Sequence, residues 1–141
     1  MVRISNLEIV RQLKENARMS FVDLARHFGV SETAVRKRVK GLEEKGVIRK
    51  YTIDVDPKKI GFDVDAVIGI DARPEKYIQI LEKLRGMKEV MRLCSSTGDH
   101  MLMIECWFEN SGGLVKFVKA LEKIDGVTKV CPALINENMK C

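Results

Sequence analysis

Four residues that can bind nucleic acid, Thr33, Arg36, Lys37 and Lys40, recur at helical spacing in the segment after Gly29. Guanidinium and ammonium groups bind phosphate oxygens and donate to base edges, and a Thr hydroxyl near the start of a helix can touch a base. The stripe therefore indicates recognition of DNA. The plainer interpretation is a solvated face, which is the usual fate of a basic cluster on an amphipathic helix.

Two short predicted helices, joined by a glycine turn, position this stripe. Ser20 can cap the first helix, Gly29 can take the positive-φ conformation that ends it, and Ser31 can cap the second. The second helix then packs through its apolar side and presents the stripe on the other. Because caps, turn and apolar spacing agree, we favour a helix-turn-helix whose second helix fits the major groove. The apolar residues of the pair are Phe21, Leu24, Ala25, Phe28, Val35, Val39 and Leu42.

The excess positive charge lies in the first part of the chain. Up to Gly61 there are 14 Lys and Arg against 8 Asp and Glu, whereas the remaining residues carry 11 against 12. This asymmetry indicates a nucleic-acid module joined to a nearly neutral module with another task. We find no signal peptide, and the most apolar run, from 101 to 108, is short and contains Glu105, so we expect a cytoplasmic protein.

Residues with catalytic or metal-binding chemistry are few and scattered. Cys94, Cys106, Cys131 and Cys141 stand 12, 25 and 10 residues apart without a paired Cys or His motif, and we interpret them as reduced thiols. Only two histidines occur, and no nucleophile elbow, phosphate loop or metal-ligand cluster accompanies them. We therefore expect no cofactor, no metal site and no enzymatic activity.

Three further elements complete the first part of the chain. Apolar steps of three and four predict a packing helix from Ile4 to Glu15, and Gly46 is placed to end the recognition helix. Val47 to Val55 alternates like a strand, which can lie against the helices as a wing or against a partner chain. A proline-containing stretch that ends at Gly61 follows. The predicted domains are residues 1–61, a winged helix-turn-helix with a linker strand, and residues 62–141.

An internal repeat dominates the second part of the chain. The segment from Tyr77 to Val90 returns forty residues later as Phe117 to Val130, with the same order of helix, glycine and strand. Strand patterns precede both copies, at Phe62 to Asp71 and at Met101 to Phe108. These elements predict a ferredoxin-like βαββαβ domain, in which two helices back one four-stranded antiparallel sheet. The fold class is therefore α+β.

The predicted strand from Met101 to Phe108 is apolar on both faces except at Glu105. Two helices cover only one face of such a sheet, so the second face needs another cover. An exposed apolar face on a small domain indicates a protein interface, and we expect this domain to dimerise through it. A dyad would also place two helix-turn-helix units on palindromic half-sites about one DNA turn apart.

Short motifs run through the chain in a fixed order. They are Asn16-Ala17-Arg18-Met19-Ser20, Leu24-Ala25, Gly29-Val30-Ser31, Val35, Arg38-Val39-Lys40, Leu42-Glu43, Gly46-Val47-Ile48, Asp56-Pro57, Gly61 and Thr97-Gly98-Asp99. Over nearly the whole chain this pattern resembles that of the Lrp/AsnC (feast/famine) transcriptional regulators. The resemblance implies an archaeal or bacterial regulator that binds promoter DNA, with a second domain that forms dimers, often forms larger rings, and binds an amino acid.

The resemblance also implies a DNA-binding site on the first domain. Arg38 has two equal interpretations there, as a phosphate ligand or as the partner of an intramolecular acid. The residues that match the family's recognition helix, together with the cap that precedes it, are Ser20, Ser31, Thr33, Arg36, Lys37, Arg38 and Lys40.

On the second domain the resemblance implies an effector site between subunits. Backbone amides around Gly98 can hold a carboxylate and Asp99 an ammonium group, although the same residues would make a good hairpin turn. Met101 and Lys119 depart from the family's common pattern, which disfavours a basic amino acid, and an effector-independent regulator stays open. The expected effector residues are Thr97, Gly98, Asp99, His100, Met101, Val130, Cys131, Pro132, Ala133 and Leu134.

These observations predict a sequence-specific transcriptional regulator of amino-acid or related metabolism that is dimeric, tetrameric or octameric. One alternative is an amino-acid-sensing regulatory subunit of a metabolic enzyme, which leaves the basic helix unexplained. Another is an RNA-binding sheet, but the central strand lacks the basic, glycine and aromatic pattern of such sheets.

Overall fold

The computed structural model describes residues 4–140. The chain divides into two compact units, the first ending at Asp54 and the second beginning at Val55. The expected boundary at Gly61 differs because the short 3-10 helix Pro57–Ile60 packs against the first strand of the second unit. Across residues 4–140, no helix combines the length and apolar character that crossing a bilayer requires.

The first unit contains three helices: α1 (Asn6–Glu15), α2 (Phe21–Phe28) and α3 (Glu32–Glu44). Helix α1 starts later than predicted because Ser5 is its N-cap. The Ser5 Oγ accepts from the backbone N–H of Glu8 at 3.1 Å, and the Glu8 carboxylate accepts from the backbone N–H of Ser5 at 2.8 Å. This capping box satisfies two backbone donors at the helix start. The pKa of Glu8 also lies below its ordinary value, because the backbone N–H and the Oγ of Ser5 both donate to the Glu8 carboxylate, at 2.8 and 3.1 Å.

The predicted glycine turn between α2 and α3 is confirmed. Gly29 ends α2 with φ of 67°, a left-handed conformation in which a side chain would be strained. Ser20 and Ser31 are the N-caps of α2 and α3, as predicted. The helices then bury one shared apolar cluster, which consists of Ile9, Leu24, Ala25, Val35, Val39 and Leu42.

The predicted strand from Val47 to Val55 is wrong for a single copy of the chain. This segment has no regular secondary structure, and Val47, Tyr51 and Ile53 are 56%, 50% and 80% exposed. Alternating apolar residues make a strand only where another strand offers its free edge. The described residues of the first unit form no strand, so this segment has no such edge to pair with there.

The second unit has the predicted ferredoxin-like fold. Its sheet has the strand order β2-β3-β1-β4, and each neighbouring pair is antiparallel. Two helices follow β1 and β3, so each copy of the repeat is helix, glycine turn and strand, as predicted. The elements are β1 (Val64–Ala72), α4 (Tyr77–Arg85), β2 (Val90–Ser95), β3 (Leu102–Phe108), α5 (Ser111–Glu122) and β4 (Val127–Leu134).

Both helices pack on the same face of this sheet. The buried residues of α4 and α5 meet alternate residues of β1 and β3 in one cluster. Since successive side chains of a strand point to opposite faces, the other residues of β1 and β3 form a helix-free face, here called the open face. It carries Asp65, Val67, Gly69, Met103, Glu105 and Trp107.

Candidate nucleic-acid interface

Helix α3 buries one side and turns its cationic side to solvent. Val35 and Val39 are each 1% exposed within the cluster of the first unit, which fixes how the helix is rotated. Thr33, Lys37 and Lys40 lie on the outer side, and their side chains are exposed. Within residues 4–140, these three side chains make no hydrogen bond or ion pair. Their donors are therefore available to a ligand.

Arg36 differs from its neighbours because two groups hold it. Its Nη2 donates to Glu32 Oε1 at 2.5 Å, one turn earlier in α3. Its Cζ also lies 5.1 Å from the centroid of the Phe21 ring on α2, a cation–π distance. The guanidinium therefore stands beside the start of both helices. The i, i+4 spacing of the ion pair was readable in the sequence, but the Phe21 contact was not.

Arg38 lies on the flank of α3 and makes contacts within its own unit. Its Nη2 donates to the backbone carbonyl of Ile4 at 2.7 Å and to Asn6 Oδ1 at 2.8 Å. The two interpretations of Arg38 were a phosphate or an intramolecular acid. Within its own unit, Arg38 thus contacts a carbonyl and a side-chain amide at the start of α1 and ties α1 to α3, while its interpretation as a phosphate ligand stays a prediction.

The two serines in the predicted DNA-binding set act as caps. Ser20 Oγ accepts from the backbone N–H of Asp23 at 3.0 Å, and Ser31 Oγ accepts from that of Ala34 at 3.1 Å. Both serines are exposed. A cap uses the lone pair of the hydroxyl and leaves its hydrogen free to donate, so either serine can also contact a phosphate.

In the second unit, the loop predicted to bind an effector is an exposed turn. Thr97, Gly98 and Asp99 lie at the surface, and Gly98 has φ of 101°. The turn is closed by Ser96, whose N–H donates to the Met101 carbonyl at 2.9 Å and whose Oγ donates to the His100 carbonyl at 2.7 Å. These bonds are those of a hairpin turn, which was the plainer interpretation of the loop.

Asp71, which sequence reasoning missed, anchors the end of this loop. Its Oδ2 lies 3.1 Å from His100 Nδ1, and its Oδ1 accepts from the backbone N–H of Met101 at 3.1 Å. The His100 ring lies directly over Gly69 of β1, where a Cβ atom would come within 2.3 Å of the ring. No sequence signal pointed to Asp71 or Gly69, because both precede the loop by about thirty residues.

The expected effector residues converge only in part. Gly69, beneath His100, pairs with Cys131 of β4, so Cys131 lies on the open face beside the residue that His100 covers. The alternate residues Val130, Pro132 and Leu134 pair with the buried residues of β1 and follow the helix-packed face. A groove of about 440 Å³ lies elsewhere, between α4 and β2, and none of the expected effector residues lines it.

The cysteines show no sign of metal or disulfide chemistry in residues 4–140. Cys94, Cys106 and Cys131 are free thiols in three different strands, while Cys141 lies outside the described residues. Burial raises the pKa of Cys106 to about 12, which keeps it a neutral core side chain. No group of three or more His, Cys, Asp or Glu side chains in this range could hold a metal ion.

Two family models match the two units. Residues 3–49 match a model for winged helix-turn-helix DNA-binding, and residues 65–140 match one for the Lrp/AsnC ligand binding domain. The first match contains the whole cationic stripe of α3. The second contains β1 to β4 and the loop of Thr97 to His100.

Known proteins that resemble this chain are transcriptional regulators. The HTH-type transcriptional regulator LrpA of Pyrococcus horikoshii is 47% identical over 133 residues, covering 94% of each chain. LrpA1 of Halobacterium salinarum is 38% identical over 133 residues, also covering 94% of each chain. Because these relatives match over both units, a regulator is favoured over an enzyme's regulatory subunit, and the prediction that the chain is not an enzyme is confirmed.

Solved structures agree with the fold. AsnC of E. coli has a TM-score of 0.79 and 29% identity, and the match covers 99% of this chain and 96% of that one. A transcriptional regulator of Neisseria meningitidis, solved as a complex with L-Met, has a TM-score of 0.85 at 22% identity, with 99% and 94% covered. The resemblance predicted from the motifs is thus confirmed: this chain belongs to the Lrp/AsnC family and is a DNA-binding transcriptional regulator.

Proposed function

We propose that the protein binds double-stranded promoter DNA with α3 in the major groove. The observation that carries this proposal is the exposed stripe of Thr33, Lys37 and Lys40, whose donors have no partner among residues 4–140. Because residues 3–49 also match a winged helix-turn-helix DNA-binding model, the alignment of these donors on the exposed side of α3 supports a polyanionic ligand. Lys37 and Lys40 donate to phosphates or base edges, and Thr33 contacts a base.

We propose further that two copies assemble through the second unit, and that dimers can associate into tetramers or octamers. Support comes from the open face, where Met103 and Trp107 are partly exposed without a helix to cover them. The segment from Val47 to Val55 supports the same assembly, since its exposed apolar residues fit a strand that pairs only with a second copy. A dimer brings two α3 helices to one palindromic site.

We also propose a small amino acid as effector of the second unit. The Lrp/AsnC ligand-binding model covers this unit, and the exposed backbone N–H groups around Gly98 can donate to a carboxylate. The candidate site joins this loop to Cys131 at the open face, and it includes His100, which Asp71 holds in place. The side chains of Met101 and Cys131 carry no charge, which favours an uncharged side chain on the effector.

DNA binding is tested by fluorescence anisotropy with a labelled promoter duplex and a random duplex, each over a series of salt concentrations. We expect the affinity to fall steeply with salt and the promoter to be preferred by about a thousandfold. Lys37→Ala should weaken promoter binding by about 1 kcal/mol. Lys116→Ala, which removes the same charge from an exposed position of α5, is the matched control. If the two variants bind equally well, α3 is not the recognition helix.

Effector binding is tested by a thermal-shift screen of the common amino acids with the full chain. A ligand at about a hundred times its Kd should add about 2.7 kcal/mol to the free energy of unfolding. Asp71→Asn should reduce that gain, since it weakens the hold on His100, whereas Asp63→Asn at an exposed position should not. A flat response to all the amino acids would contradict the effector proposal and leave the DNA proposal intact.

A further inference from the structure

We infer that Glu32, through its ion pair with Arg36, determines which base pairs the recognition helix prefers. The inference rests on the proposed function, because it assigns a role to a residue on the DNA-facing end of α3. Glu32 is an acid in a surface that otherwise suits DNA, and neither charge counting nor motif spacing singles it out.

Glu32 is the first residue of α3, directly after the Ser31 cap. Its side chain is 45% exposed and that of Arg36 is 59% exposed, so the pair lies at the surface. The guanidinium is held by the carboxylate on one side and by the Phe21 ring on another, with 5.1 Å from Cζ to the ring centroid. Two contacts from two different helices leave this long side chain little freedom.

Helix stability alone explains one of these contacts. A Glu at the start of a helix favours the helix dipole, and an i, i+4 ion pair adds a few tenths of a kcal/mol. Neither effect requires that Arg36 also lie over Phe21, which belongs to α2. That second contact fixes the direction of the Arg36 side chain between the two helices, which the ion pair within α3 does not do by itself.

The pair also combines the two functions that read a G·C base pair. A Glu carboxylate accepts from the exocyclic amine of cytosine, and an Arg fork donates to O6 and N7 of guanine. Arg36 has five N–H donors, of which the ion pair engages Nη2, so donors remain for a base edge. An exposed carboxylate near DNA repels phosphates, so its presence at this end lowers affinity for every sequence except those that it contacts.

This reasoning predicts opposite effects on cognate and random DNA. Glu32→Gln removes the repulsion, so affinity for a random duplex should rise. The same change removes the preferred acceptor for cytosine and loosens Arg36, so affinity for the cognate duplex should not rise with it. The ratio of the two affinities, measured at one salt concentration, should fall about tenfold.

The cognate duplex is obtained by selecting from a random duplex pool with the unmodified protein. Asp23→Asn is the matched control, because Asp23 is an exposed acid of the same unit that lies 4.0 Å from Arg26 on α2. It should raise both affinities equally. Phe21→Leu, which keeps the apolar packing and removes the ring, should lower the ratio by a smaller factor than Glu32→Gln. Circular dichroism of each variant checks that the helices are intact.

The outcomes separate this inference from the proposed function. If Lys37→Ala weakens binding while Glu32→Gln raises both affinities equally, Glu32 is only a helix-stabilising residue and the inference is overturned. If the unmodified protein selects no sequence and Lys37→Ala has no effect, the proposed DNA interface itself fails. A fall in the ratio for Glu32→Gln, without one for Asp23→Asn, establishes Glu32 as a specificity residue.

Discussion

Among residues 4–140, no helix of its own unit covers the cationic side of α3 or the open face of the sheet, but the polar groups of these two surfaces are in different states. Lys37 and Lys40 are exposed, so water can solvate their ammonium groups. Asp65 on the open face is only 7% exposed, and its Oδ1 has no hydrogen-bond partner within the described residues. Water can satisfy the polar groups of α3. On the open face, burying the Asp65 carboxyl group without a partner for Oδ1 costs free energy.

This difference indicates what each surface requires. The α3 side is stable in water and gains only when a polyanion replaces its counterions. The open face is already partly dehydrated: the rings of Phe62 and Trp107 pack at a tilt of 47° with centroids 5.9 Å apart, and Trp107 Nε1 donates to Glu105 Oε1 at 3.2 Å. Covering the open face with a second copy would remove further apolar area from water, and it would not dehydrate the lysines of α3.

The largest effect should come from Gly69 on the open face. In Gly69→Ala, the new Cβ would lie within 2.3 Å of the His100 ring. The ring must move, which breaks its 3.1 Å contact with Asp71 and loosens the loop that precedes β3. We expect a loss of about 1–3 kcal/mol in the free energy of unfolding, measured by urea denaturation.

Replacing His100 separates the steric cause from other effects of the added methyl group. His100→Ala removes the ring that the new methyl group would meet. Gly69→Ala should therefore cost much less free energy of unfolding in a His100→Ala background than in the unmodified protein. A double-mutant cycle that gives no coupling between the two positions would contradict the close packing of His100 on Gly69.

A smaller effect should come from Asp65. Burial and the nearby charge of Glu105 raise the pKa of Asp65 above its ordinary value. The folded chain therefore holds this proton more tightly than the unfolded chain, and the stability contributed by the group falls as pH rises from about 4 towards the folded pKa. Asp65→Asn should remove that slope and add about 1 kcal/mol at neutral pH, since its amide can donate to Glu105.

Urea denaturation at acid and neutral pH measures this slope. Asp63→Asn, at an exposed position two residues earlier, is the matched control and should keep the slope of the unmodified protein. If Asp65→Asn keeps the same slope as well, Asp65 is not the group that carries it, and the contrast between the two surfaces loses its main support.

Local signals in the sequence were enough to predict most of the fold. Ser20, Gly29 and Ser31 act within a few residues of themselves, so their caps and turn could be predicted without knowing the tertiary structure. The internal repeat likewise indicated a domain built from two copies of helix, glycine turn and strand. The prediction of a strand from Val47 to Val55 is wrong for a single copy, because strand formation depends on a partner edge, which alternation along one segment cannot reveal.

Side-chain partners were predicted less well, because they depend on contacts distant in sequence. The cationic stripe of α3 followed from its period, yet the contact of Arg36 with Phe21 joins two helices, and that of Asp71 with His100 joins β1 to the loop that precedes β3. The Arg38 contacts with Ile4 and Asn6 span more than thirty residues. The composition of a surface was thus predictable, while the side chains that hold it in place were not.

The smallest effect should come from the same change, glycine to alanine, made in α3 instead of on the open face. Gly41 lies inside α3, and a Cβ added there would meet no heavy atom within 4 Å. Alanine loses less backbone entropy on folding than glycine does, so Gly41→Ala should stabilise the first unit by about 0.5–1 kcal/mol, measured by urea denaturation. The same added methyl group should thus stabilise α3 and destabilise the open face. A loss of stability at Gly41 would mean that the outer part of α3 is already in contact with something other than water, and the hydrated surface proposed for DNA would have to be reconsidered.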